Sequence, residues 1–202
     1  KYTGGNKYDG FSITGMAYKN TWNSTDQIPQ RAMSSGLIGR FGAIDPTDGG
    51  ETSRYSLSYA MHKRTQDSLF ELNAYAVQSR LKLFSNFTYF LDNPADGDQF
   101  QQSENRRMYG LNAAQTWIDK VGGITMQNKI GFQTRYDRLS PVGLYDTIAQ
   151  ERTATVREDK VKEASMGVYA ENSAQWLDKF RTVAALRYDA YRFNVDSDIA
   201  GN

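Results

Sequence analysis

Runs of about ten residues that alternate apolar and polar side chains constrain this chain more than any motif in it. Residues 180–189 show the unit: Phe180, Thr182, Ala184, Leu186 and Tyr188 share one parity, while Arg181, Arg187 and Asp189 share the other. Successive side chains of a strand project to opposite faces, so this pattern makes a strand with one greasy and one charged face. Sheets of such strands suit a wall between lipid and a wet lumen.

The pattern recurs and predicts about seven strands, over residues 8–19, 52–63, 68–84, 106–117, 124–138, 164–176 and 180–193. Residues 124–138 are among the cleanest: Ile124, Met126, Ile130, Phe132 and Tyr136 alternate with Gln127, Lys129, Gln133, Arg135 and Asp137. In the third strand Phe70, Leu72, Ala74 and Ala76 keep one phase, but Leu81 and Leu83 fall on the other. That switch predicts a β-bulge near residues 77–79.

Composition agrees with a two-faced wall. Only 39% of residues are hydrophobic while 13% are aromatic, and the mean hydropathy is −0.66. A membrane sheet reads this way because at most every second residue meets lipid. A net charge of +1 gives no electrostatic case for nucleic acid. With no cysteine, disulfides and thiolate metal sites are excluded. No apolar run approaches the length of a transmembrane helix.

The connections give the wall a direction. Residues 64–67, 118–123 and 177–179 make short links, whereas 20–51, 85–105 and 139–163 make long ones. Long structureless segments are uncommon in compact domains, but outer-membrane barrels pair short periplasmic turns with long extracellular loops. Strands one, three, five and seven are then expected to run outward. Trp117, Trp176 and Phe180 lie beside the short turns, where an interfacial aromatic girdle belongs. The alternative is a soluble antiparallel sandwich with Trp in its core. An odd strand count cannot close an antiparallel barrel. The chain opens on the turn-like Lys1-Tyr2-Thr3-Gly4-Gly5, and residues 196–202 read as an outward loop. The expectation is an all-β, antiparallel, up-and-down segment of a larger transmembrane barrel.

Several stretches resemble TonB-dependent outer-membrane receptors. They are Trp22 to Arg31, Phe41 to Gly50, Leu83 to Leu91 with Gly97 to Phe100, and more loosely Trp176 to Phe180 continuing into Leu186 to Asp189. The resemblance implies a barrel of about 22 strands, wide enough to need a plug. Residues 1–202 would be part of that barrel, without its plug domain or C-terminal strands. It further implies active import across the outer membrane of a Gram-negative bacterium, energised through TonB. The cargo would be a scarce nutrient such as a ferric siderophore or another metal chelate. Expected partners are the lipid bilayer, the plug, TonB and the substrate; no cofactor is called for. The alternatives are a passive porin and a barrel protease or lipase.

Candidate residues follow from placement. Phe87, Tyr89, Phe90 and Phe100 form an aromatic group on a long outward loop, suited to stacking on a ligand. A loop-stabilising mini-core is the other reading. Arg106 and Arg107 nearby would add charge for an anionic chelate. Lys129, Arg135, Glu171, Arg187 and Asp189 are expected to face the lumen, paired with one another or with the plug. His62 is the only histidine and reads as a wall residue. The stretches Asp92 to Asp98 and Asp45 to Gly50 read as turns at exposed loop tips. The first departs from calcium-loop spacing at Pro94 and Ser103.

Overall fold

The computed structural model describes residues 1–197. It consists of one sheet of eight antiparallel strands in simple sequence order. They are β1 (Tyr2–Gly5), β2 (Asp9–Asn23), β3 (Gly49–Arg64), β4 (Ser68–Ser85), β5 (Phe100–Val121), β6 (Ile124–Ile148), β7 (Glu151–Leu177) and β8 (Phe180–Ser197). One short helix, α1 (Gln30–Ser34), lies in the first long connection. Each predicted strand is present, usually longer than expected. The segment read as turn-like at the start is the additional strand β1, paired to β2.

Cross-strand register carries the alternation across the sheet. Ala76 lies opposite both Leu57 and Tyr109, Ala113 opposite both Leu72 and Phe132, and Val168 opposite both Phe132 and Tyr188. These residues share one apolar face. Phe70, Ala113, Ile130, Phe132, Val168 and Leu186 line one continuous apolar depression on it. That face is open: Ile130 is 52% exposed and Leu186 78%. The buried apolar residues, Ala32, Phe84, Leu139, Tyr145 and Ala174, do not form a soluble domain's core.

The opposite face is polar, and tyrosines lie flat on it. Tyr75 covers Gly110 of the next strand, and Tyr169 covers Gly131. A Cβ on Gly110 would stand 2.3 Å from the Tyr75 ring, and one on Gly131 2.2 Å from Tyr169. Glycine is needed there so that the ring can approach the backbone.

Two expectations are corrected. The bulge near residues 77–79 is absent, since Val77 and Ser79 keep unbroken register with β3 and β5. Leu81 and Leu83 simply lie on the polar face, opposite Glu104 and Gln102. Irregularities fall elsewhere: the β6–β7 ladder shifts at Leu144–Tyr145 and Asp146–Thr147 and the β7–β8 ladder at Gln175–Leu177, and Ser140 and Pro141 slip past both neighbouring strands. Proline lacks the N–H a ladder needs, so pairing breaks at that point. The second correction concerns residues 139–163, which are not a loop. They form the upper part of the β6–β7 hairpin, closed by Ala149 and Gln150 with φ of 48° and 71°. Both central residues at positive φ match the twist of the flanking strands. Most of the predicted terminal loop, residues 198–202, lies outside the described residues.

Candidate functional site: the polar face and the junction of the long connections

Lys129, Arg135, Glu171, Arg187 and Asp189 all project from the polar face, on the parity opposite Ile130 and Phe132. The structure pairs most of this charge along the wall. Arg187 donates to Asp189 at 2.7 Å and to Gln133 Oε1 at 3.0 Å. Arg135 donates to both oxygens of Asp137, at 2.5 and 3.1 Å. Asp137 is buried, and Arg106 Nε approaches it at 3.5 Å and Glu104 at 3.7 Å. Lys129 registers opposite Glu171 and stands over the Tyr169 ring at 5.9 Å. Such pairs contribute little stability where water reaches them, but they leave the wall close to neutral. His62 registers opposite Glu71 and beside Gly10 on this face.

The predicted aromatic group divides. Phe87 and Phe100 meet edge to face, ring centroids 5.1 Å apart, and Phe100 shares the polar face with Glu104 and Arg106. Phe87 and Phe90 are each about half exposed. Tyr89 is instead committed to structure: its hydroxyl donates to the Gln27 carbonyl, stapling the second long connection to the first. Burial is the chief reason its hydroxyl pKa is raised, and the charges of Asp26, Asp48 and Asp45 add to the rise. Arg106 and Arg107 are adjacent on a strand, so they point to opposite faces. Arg106 faces Asp137, while Arg107 registers with Gln78 near Tyr55 and Tyr109 on the apolar side. The two arginines therefore form no joint anion site.

Trp117, Trp176 and Phe180 lie on the apolar face at its short-turn end. Trp176 Nε1 donates to Thr182 Oγ1 at 2.7 Å while its ring stays half exposed. An exposed ring with a satisfied polar edge is what a lipid–water boundary accommodates.

A buried polar junction went unread in the sequence. It joins the first connection (residues 24–48), the second (86–99) and the β6–β7 hairpin tip. Gln99 is its hub, donating to Thr47, Asp48 and Asp45 at 2.7, 3.0 and 3.3 Å. Its oxygen accepts the Thr147 hydroxyl at 3.0 Å and the Gln150 N–H at 2.8 Å. Next to it the turn reading of residues 92–98 matches the structure. Asp98 accepts backbone N–H groups from Leu91, Asp92 and Asn93. Burial opposes ionisation of Asp98, yet these donors and Thr88 outweigh it and hold the carboxyl below its ordinary range. Across the hairpin, Tyr145 donates to Glu158 beneath the Arg152 guanidinium. Burial first, and then that bond, push its hydroxyl up to about 12.

A model of the TonB dependent receptor-like β-barrel family matches residues 1–202. Among solved structures, the ferric citrate transporter FecA in its unliganded form superposes with a TM-score of 0.76 at 10% sequence identity. That match covers 98% of this chain and 29% of the FecA chain. No curated protein sequence matches.

Proposed function

Because this chain belongs to the TonB-dependent receptor β-barrel family, whose members are outer-membrane transporters and not enzymes, we propose that it forms part of a receptor importing a metal chelate. The apolar face meets the bilayer and the polar face lines the lumen, which a plug domain fills. The long connections and the raised β6–β7 hairpin stand outside the membrane and capture cargo. Phe87, Phe90 and Phe100 stack on the chelate at the mouth, and plug rearrangement driven through TonB releases it inward. FecA, a ferric citrate transporter, supports the chelate class. The observation that carries the reading is the Phe87–Phe100 pair above a polar, charge-paired wall. An aromatic platform at a wet entrance retains a ligand by stacking while the paired wall below does not trap it.

The test is uptake of ferric chelates by iron-limited cells carrying the complete receptor, with and without TonB. Uptake that disappears without TonB is expected; undiminished uptake overturns active import. Replacing Phe87 and Phe100 together with Ala should weaken chelate binding about tenfold or more, by loss of stacking.

A further inference from the structure

We propose that Arg107, Arg138 and Lys162 hold the phosphate groups of phosphorylated lipids in the outer leaflet, at the outward margin of the apolar face. Such a site rests on the reading of that face as the one that meets the bilayer. Register places the three cations side by side. Arg107 lies opposite Arg138, and Arg138 opposite Lys162, in a row that continues to Gln78 on one side and Asn194 on the other. They share the parity of Leu111, Phe132 and Val168, and all three are exposed. Directly opposed side chains leave the sheet about 5 Å apart, and like charges so placed repel. Arg80 and Arg192 flank the row diagonally, opposite Asn105 and Ala164, and add to that repulsion.

No protein group offsets it. No ion pair among the described residues reaches Arg107, Arg138 or Lys162. The acids that follow outward on the same face are placed with other groups. Glu51 takes Lys82 at 2.7 Å, Glu158 takes the Tyr145 hydroxyl, and Asp196 lies opposite Lys160. The polar face is built differently, with Arg135 and Arg187 each bonded to an aspartate two residues away. The short-turn end of the apolar face also differs, since Asp9 lies opposite Lys63 there and Asp119 accepts from Asn128. The unbalanced row therefore marks the outward margin and not the inner one.

What lies just inward of the row identifies the occupant. Tyr109 and Tyr136, opposite each other and 48% and 38% exposed, take the next row, and Leu111 and Met166 the one after. Tyrosine rings at such a level mark a lipid–water boundary. The occupant is then anionic where the cations stand and apolar immediately below, which describes a phosphorylated lipid and not a soluble anion. Arginine forks bind phosphate through two parallel bonds, and lysine adds a point charge. Spread over three adjacent strands, about 10 Å, they span the phosphates of one or two headgroups.

The experiment is native mass spectrometry of the complete receptor in detergent, titrated with dioleoyl phosphatidic acid and separately with dioleoyl phosphatidylcholine or inorganic phosphate. Wild type should retain phosphatidic acid about tenfold more tightly than phosphatidylcholine. Arg107→Gln, Arg138→Gln and Lys162→Gln together should remove that preference. Lys63→Gln, Lys120→Gln and Lys179→Gln together, at the short-turn end, should leave it intact. Equal loss in both triple variants overturns the site, because overall charge would then explain the binding. Inorganic phosphate that displaces the lipid at matched concentration overturns it too, because the row would then serve a free anion. Urea unfolding in phosphatidylcholine vesicles, with and without about one-fifth phosphatidic acid, separates binding from misfolding. Phosphatidic acid should raise the wild-type midpoint and not that of the Arg107, Arg138 and Lys162 variant. In phosphatidylcholine alone that variant should be at least as stable as wild type, since only repulsion is lost. A midpoint shift equal in both proteins overturns the proposal. Lipid retention needs neither cargo nor TonB, so loss of the phosphatidic acid preference leaves active import standing. A receptor that retains neither lipid would instead overturn the lipid-facing reading, and this site with it.

Discussion

At the scale of single residues, the junction rests on an uncharged amide. From the second connection, Gln99 satisfies three acceptors in the first connection and two donors at the hairpin tip. Gln99→Ala should destabilise that junction by about 2–4 kcal/mol, because buried groups are left unpartnered. Exchange rates of residues 24–48 should rise while those of the β5–β6 ladder stay unchanged; equal rates throughout would contradict the hub role. None of this was legible in sequence. The exposed-turn reading of residues 45–50 holds only for the local Asp45–Thr47 bonds; Asp48 is buried, and Gly49 and Gly50 open β3. The Asp45 carboxylate also reaches Gln99, 54 positions away, and no local pattern encodes that partner. The two arginines at 106 and 107 teach the converse: sequence placed them together, and strand geometry sets them on opposite faces.

At the scale of elements, alternation was legible wherever lipid imposes it. It located β2 through β8 because one face of each must be apolar while the other is wet. It failed over residues 139–163, where the hairpin rises beyond the apolar belt. There both faces meet water, period-two patterning relaxes, and only the backbone ladder continues. Two substitutions separate the faces. Phe132→Arg, on the apolar face between Ala113 and Val168, should cost about 2–4 kcal/mol in bilayer, whereas Gln133→Arg should cost far less. Urea titration of the receptor in lipid vesicles reads both, and equal costs would refute the face assignment. Gly131→Val should displace the Tyr169 ring and cost about 1–3 kcal/mol. Pairing it with Tyr169→Ala should restore part of that loss, since the clash is with this ring.

At the scale of the molecule, eight strands in sequential order leave β1 and β8 each paired on one side. An arc with two open edges and an apolar face has nowhere to bury either in water. Residues 1–202 expressed alone without detergent should therefore not yield a monomer that unfolds cooperatively; sedimentation with thermal melting would show otherwise. The barrel class was legible from the rhythm of short and long connections, even though one of the long ones proved to be a hairpin. The long connections were legible only as lengths, because no periodicity governs what their side chains meet.

A wall with lipid on one side and water on the other can be read residue by residue. The chain contains no cysteine, so single cysteines can be placed along residues 129–136 of the complete receptor in lipid and labelled with a polarity-sensitive fluorophore. Labels at 130, 132, 134 and 136 should report an apolar setting, and those at 129, 131, 133 and 135 a wet one. Signals without alternation, or alternation in the opposite phase, would overturn the assignment of the two faces.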